Sequence, residues 1–300
     1  MSELFRRAWD IRVGTVQIAG EGAGEGAERA TLDCAFEVEL STAREPNTAA
    51  VKIWNLSPSH RQALERTETL ALRIAAGYVD SISILFDGDV RVAQSRRRVE
   101  AHRSAQSRLG RLVTLADVVD VITEIEAEDG GRAYRDARVQ QSFAAGTPVV
   151  SVLRAAVEAL GIGEGNLAEI AADPTMSGVG TYSEGTVLSG QAYREVDRIV
   201  RSIGLTWSIQ AGVLQLRSGR EPLQVTAVRL TPSTGLIGSP AADADGYITA
   251  LSLLHPGLYP GRPVVLESRE ISGSFAVRRV RYVGDTAGAD WQAELTLEAR

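Results

Sequence analysis

The sequence predicts a β-rich α+β protein in which strands crowd both ends of the chain and the longer helices lie in the middle. Three observations predict this order. Apolar residues alternate with polar ones over residues 9–18, 31–40 and 50–56, the period of two that half-buried strands require. Clear helical spacing is found only in two central segments. From residue 223 onward short apolar runs return, punctuated by Pro and Gly.

In chain order, Ile11, Val13, Val16 and Ile18 alternate around a Gly-Thr break, and Leu32, Cys34, Phe36, Val38 and Leu40 repeat the pattern. Between them residues 20–28 form a Gly-Glu loop; a phosphate cradle there would need Lys-Ser/Thr after the glycines, not glutamates. Residues 50–56 make a further strand, which places the Trp54 ring in the core and leaves Asn55 to fix the turn. Ser57-Pro58 then reads as cap and first residue of a short helix ending near Arg66. Residues 70–75, 82–86 and 90–93 are strands, with Asp87-Gly88 as a hairpin turn between the last two. Such dense strands with one short helix suggest a small β-barrel or sandwich.

The middle differs. Residues 113–126 fit either a helix or a pair of strands, and their β-branched side chains favour strand. Thr147-Pro148 caps a helix with Val149, Leu153, Ala156, Val157 and Leu160 on one face and Gly161 as its stop. Ser189 starts a second helix, with Tyr193, Val196, Ile199, Val200 and Ile203 inward and Gly204 at its end. It runs into a hairpin, 205–209 and 213–216, while residues 171–185 read as loop. The closing strands are expected at 225–230, 247–254, 264–266, 275–282 and 291–297, with Gly235, Gly238, Pro240 and Gly261 among the turns.

Chemistry is thinly supplied. With 38 acidic against 32 basic residues the net charge is −6, which disfavours a nucleic-acid clamp. The basic run Arg96-Arg97-Arg98, extended by Arg103, Arg108 and Arg111, reads as a solvated or protein-facing patch. Cys34 is the single cysteine, so neither an intrachain disulfide nor a thiolate metal cluster can form. The three histidines, His60, His102 and His255, are scattered, and no nucleophile elbow is present. Glu124, Glu126, Glu128, Asp129, Asp87, Asp89, Asp243 and Asp245 read as turn and surface carboxylates. No catalytic residue, metal ligand or cofactor is expected. No apolar run approaches the roughly 20 residues of a membrane helix, and residues 1–7 are not followed by a secretory core, so synthesis in a cytoplasm is expected.

What stands out is an ordered set of short motifs. Glu45-Pro46-Asn47-Thr48-Ala49 precedes Val51-Lys52-Ile53-Trp54-Asn55-Leu56-Ser57-Pro58. Ala76-Gly77-Tyr78, Leu85-Phe86-Asp87-Gly88, Glu128-Asp129-Gly130, Ser142-Phe143 and Trp207-Ser208-Ile209 follow. Thr234-Gly235-Leu236-Ile237-Gly238-Ser239-Pro240, Tyr259-Pro260-Gly261-Arg262, Val283-Gly284-Asp285-Thr286 and Trp291 close the series. The set resembles baseplate hub proteins of tailed phages and phage-like contractile injection machines, over nearly the whole chain. Tyr282 stands where that family is expected to carry His, and residues 96–120 look like an insertion.

The resemblance implies two tube-forming β-barrel domains, 1–128 and 223–300, with an intervening helix-bearing α/β module at 129–222. The first boundary stays open across 95–120, and the module can share its first strand with the C-terminal barrel. Three copies would close into a ring, a homotrimer whose six barrels imitate the tail tube above and whose lower face receives the central spike protein. The implied partners are the tail tube protein, that spike, other baseplate proteins and the tape measure protein. DNA would meet the chain only in transit through the channel, and no stable membrane insertion is implied. The implied place is the virion tail baseplate or an injection particle. Glu45, Pro46, Asn47, Trp54, Asn55, Asp129, Gly130, Gly235, Gly238, Gly261, Gly284, Asp285 and Trp291 would be structural motif residues. The alternatives are a tail-associated cell-wall hydrolase, and a distal tail or tube-initiator ring protein.

Overall fold

A computed structural model describes residues 6–19, 32–66, 70–98, 120–172, 180–219 and 221–299. The first strands are β1 (Arg7–Val13), β2 (Val16–Ala19), β3 (Cys34–Ser41) and β4 (Thr48–Trp54). Helix α1 (Pro58–Arg66) follows, then β5 (Ala71–Tyr78), β6 (Ser83–Arg98) and β7 (Asp120–Glu128). The middle holds α2 (Gly131–Asp136), β8 (Arg138–Phe143), α3 (Val149–Leu160), α4 (Leu167–Ala172) and β9 (Thr186–Gln191). It ends with α5 (Ala192–Ser202), β10 (Thr206–Gln210) and β11 (Val213–Arg217). The last group is β12 (Val228–Leu230), β13 (Leu236–Ala242), β14 (Ile248–Leu253), β15 (Pro263–Glu267), β16 (Ser272–Asp285) and β17 (Trp291–Ala299).

Strands from both ends of the chain pair into one 13-stranded sheet, in the order β13-β14-β17-β16-β3-β4-β7-β6-β5-β1-β2, with β15 and β12 branching from β16. The seam is β3 against β16, running antiparallel from Ser41↔Arg279 to Ala35↔Asp285. Long β16 supports this by pairing with β15 through its first residues and with β3 through its last. Alternation does the rest: in β3 every second residue, Cys34, Phe36, Val38 and Leu40, is buried. One apolar core therefore runs from Ile11 to Leu297 across both ends. The sheet curls, because Trp291 of β17 touches Trp9 of β1 although β16, β3, β4, β7, β6 and β5 lie between them. No closed barrel forms among the described strands; the outermost, β13 and β2, do not pair.

The middle segment packs a second core of its own, from Ala133 to Leu216. Val152, Leu153, Ala156 and Val157 of α3 meet Val196, Ile199 and Val200 of α5, under the ribbons β8–β9 and β10–β11. Both helices bury a single stripe, as their spacing predicts.

Several elements depart from the sequence reading. Asp87-Gly88 is not a hairpin turn: β6 is one continuous strand that pairs with β5 as far as Asp89 and then with β7. Gly88 is there because a Cβ would strike the Glu128 carbonyl and the Phe86 ring. Ser189 lies inside β9, paired with Gln140 of β8, and the helix starts at Ala192. Thr147 does not cap α3; its hydroxyl donates back to Ala144 O at 2.7 Å, and Pro148 holds the cap position. Gly238 and Pro240, read as turn residues, lie inside edge strand β13, which bulges between Ile237 and Ala241, a common way to blunt a sheet edge. Ala171 and Ala172 belong to α4 rather than to a loop. Residues 20–28 and 113–119, with His102, Arg103, Arg108 and Arg111, lie outside the described residues. Ser57 does cap α1, accepting from His60 N at 3.2 Å.

Trp54 corrects a packing expectation, since its side chain is only partly buried while neighbouring Ile53 is fully buried. Trp54→Ala is therefore expected to lower stability by about 1–2 kcal/mol, well below a full core deletion. Chemical denaturation checks this, and a loss as large as that of a buried tryptophan would return the ring to the core.

Candidate functional site

The motif residues gather mainly at two joints, each tying distant parts of the chain together. The first joins the sheet to the middle segment. Asn47, nearly fully buried, accepts from Ser41 N through Oδ1 at 2.8 Å and donates through Nδ2 to Ile209 O at 2.8 Å. Its carbonyl accepts from Asp129 N at 2.9 Å, and Asp129 Oδ1 accepts from Gly212 N at 3.0 Å. Gln210 completes the ring by donating to Ser41 O at 2.7 Å. Asn47 and Asp129 thus hold the β10–β11 hairpin by its turn, where Ala211 and Gly212 both take positive φ, so Asp129 is a buried joint residue and not the surface carboxylate that its acidic run suggests. Gly130 has φ +70 and leaves room that Ile209 fills. Glu45 is exposed beside this joint, and with Pro46 it lines a hollow of about 720 Å³ that Arg278, Tyr247 and Thr206 also border.

Burial sets the electrostatics of this joint. Desolvation pushes the Asp129 carboxyl up to about 6, against the pull of the backbone N–H groups of Gly212 and Ala211. Its Oδ2 is buried without a hydrogen-bond partner. At the hairpin's other end Arg217 donates to Glu298 of β17 at 2.7 Å, with both side chains more than nine-tenths buried. Gln215 donates to Pro260 O at 3.1 Å. Gly261, at φ +83, lies against Gln215 and Leu223.

The second joint brings the first strand to the last two. Trp291 lies edge-on to Phe36 at 5.5 Å and to Trp9 at 6.2 Å, and its Nε1 donates to Gly77 O at 3.2 Å. Gly284 is the floor beneath the Phe36 ring, which any Cβ there would overlap. Asp285 accepts from Ala287 N and Gly288 N, shaping the β16–β17 turn. Arg7 donates into that turn at Asp285 O, Gly288 O and Ala289 O, with its guanidinium 5.4 Å from the Trp291 ring. Tyr282, in the place of the expected His, is fully buried and donates to Leu258 O at 2.9 Å. Burial holds its phenol far above the usual range.

The remaining motif residues stand apart. Asn55, at φ +56, donates to Asp120 Oδ1 and accepts from Val121 N, so it fixes the strand end as its position after Trp54 suggests. Gly235 and Gly238 take positive φ at the start and bulge of β13. Sequence reasoning missed the charged partners. Arg281 bonds Glu37 across the seam at 2.6 Å and Glu294 of neighbouring β17 at 3.0 Å, and Arg279 bonds Glu39 across the seam at 2.6 Å. The Arg281 hydrogen bond holds the Glu37 carboxyl below its usual range. The available signal was a pair of charges two residues apart in each strand, Glu37 and Glu39 in β3 and Arg279 and Arg281 in β16, on the face opposite the apolar residues.

Cys34 is fully buried and desolvation pushes its thiol up to about 12, so it serves as packing. His60 is exposed on α1, and His255 accepts from Gly257 N through Nδ1 in a turn. Asp87 and Asp89 pair with Arg73 and Arg132. Among the described residues no cluster of His, Cys, Asp or Glu is placed to hold a metal ion, and no helix is long and apolar enough to cross a membrane.

No protein-family model and no curated protein sequence matches the chain. Solved structures do. A 43 kDa tail protein of prophage MuSo2 from Shewanella oneidensis superposes with a TM-score of 0.58 at 8% identity, over 97% of this chain and 98% of that one. A tail protein from Neisseria meningitidis MC58 gives 0.58 at 10% identity, over 98% and 97%. An Escherichia coli protein described as a component of the type VI secretion system, with structural similarity to bacteriophage T4 tail proteins, gives 0.52 at 10% identity, over 97% and 76%. The chain thus has the fold seen in phage tail proteins and in a type VI secretion component.

Proposed function

We propose that this chain is a structural baseplate hub of a phage tail or phage-like injection machine, a homotrimeric ring joining the tail tube to the central spike. The observation that carries this is the end-to-end likeness to two tail proteins, which covers nearly all of either partner in both directions. At 8% and 10% identity little but the fold is shared, so a common task would rest on shape rather than on a catalytic residue set. On this reading residues 1–128 and 223–300 supply the two tube-forming domains, fused here through the β3–β16 seam. Residues 129–222 form the module that faces outward.

The charged face of the seam then lines the channel. Its carboxylates at 37, 39 and 294 are matched by Arg279 and Arg281, so it offers DNA in transit no concentrated basic surface to hold it. The tail tube protein, the spike, other baseplate proteins and the tape measure protein are the partners, and the tail baseplate or injection particle is the place. The chain acts by holding these in register and catalyses nothing.

Light scattering of the chain mixed with its spike protein is expected to give three copies per complex, and a reconstruction to show strands around the channel with α3 outside. A six-fold ring would favour a distal tail or tube-initiator protein. Clearing of peptidoglycan in a zymogram would favour the hydrolase. Either result, or α3 facing the channel, overturns the proposal.

A further inference from the structure

The joint between sheet and module contains a group that its structural role does not explain. Asn47 and Gln210 satisfy their polar atoms with neutral partners across the joint. Asp129, at the same place, is 1% exposed, and only Oδ1 has a partner. An ionised carboxylate buried in this way is costly unless a cation compensates it. The charge that acts on it is another carboxylate, Asp87 of β6, which is itself held by Arg73.

The other elements packed around the joint bring no compensating cation. From α2 comes Tyr134, whose buried hydroxyl is also without a partner. Glu45, Arg44 and Asp197 act on that phenol, and Arg44 and Asp197 are paired with each other at 2.9 Å. Arg132 and Arg135 of α2 are engaged by Asp89 and Glu128, and Arg91 of β6 by Glu128. The hairpin's single ionisable residue, Arg217, sits at its far end on Glu298. Asn at position 129 would give the same backbone acceptor without any charge, so the carboxyl adds one property only, the ability to gain and lose a proton.

We propose that Asp129 is a proton-operated latch: neutral, it tightens the hold of the β10–β11 hairpin on the sheet, and ionised, it weakens that hold so that the hairpin opens more often. The sign follows from linkage. In the closed joint the group titrates near 6, and in an opened, hydrated joint near its ordinary 3.8. The closed state therefore holds the proton more tightly. Closure is favoured fully below the lower value, weakens as pH rises between the two, and stays weak above the upper one. The latch belongs to the chain itself and does not depend on what the chain assembles with.

Hydrogen exchange of the full chain tests it, read at the amides of residues 207–214 and corrected for the intrinsic pH dependence of exchange. The opening constant of the hairpin is expected to be about tenfold larger at pH 7.5 than at pH 5. Amides of the β3–β16 seam should not change. In Asp129→Asn the hairpin should show the same protection at both pH values, while Asn47→Ala should open it at both. Equal protection of the wild-type hairpin at pH 5 and 7.5 would overturn the latch, and so would an unchanged pH dependence in Asp129→Asn. If that variant does not fold, the carboxyl ¹³C titration of wild-type Asp129 decides: a midpoint at or below 4 overturns the proposal.

Discussion

Trp291→Ala is expected to cost about 3–5 kcal/mol, the range for deleting a large buried aromatic from a core. The ring supports Phe36 and Trp9 edge-on, donates to Gly77 O and carries the Arg7 guanidinium. Removing it leaves a cavity where β1, β3, β5 and β17 meet, walled by the rings of Trp9 and Phe36. Trp291→Phe keeps the apolar contacts and loses the indole N–H, so a smaller loss of about 1 kcal/mol is expected. The midpoint of a denaturant titration reads both. If the alanine variant unfolds at the wild-type concentration, the aromatic joint does not hold the two ends of the chain together.

Glu298→Ala should be as damaging, for a different reason. Arg217 and Glu298 are both more than nine-tenths buried, and the deletion leaves a guanidinium with no counter-charge inside the protein. Breaking such a pair from one side costs about 3–5 kcal/mol, whereas replacing both partners by apolar residues is often near neutral. The pairing hypothesis therefore predicts that Arg217→Met combined with Glu298→Leu recovers most of the stability lost in Glu298→Ala. Equal destabilisation by the single and double variants would show that the site is held by side-chain volume rather than by charge.

Local periodicity was legible in the sequence and long-range pairing was not. The alternation through Cys34, Phe36, Val38 and Leu40 identifies β3 and its buried face because half-burial imposes a period of two. The stripes of α3 and α5 were legible for the same reason. Gly88 misled because a glycine between two aspartates has turn chemistry, while the constraint it answers is the backbone of β7, forty residues later in the chain. Ser189 and Gly190 look like a helix start, yet they pair with β8, whose Gln140, Gln141 and Ser142 carry no apolar alternation to reveal a strand. The motif residues Asn47, Asp129, Gly284 and Trp291 were identified by resemblance. Nothing local to any of them says that Asn47 meets Ile209 or that Trp291 meets Gly77. Those contacts depend on how the sheet curls, and curl is a property of all its strands together.

The β3–β16 seam also has a consequence in time. Glu39 and its partner Arg279 are 240 positions apart, and at the roughly 5–20 residues per second of synthesis about 10–50 s separate them. Throughout that interval β3 has β4 on one side and an open edge on the other. Closing so long a loop is the slow kind of folding event, because entropy is lost before the contacts that reward it exist. The nascent chain thus waits on the ribosome with a long strand edge exposed, and only a chaperone or an intruding strand can cover it before β16 emerges.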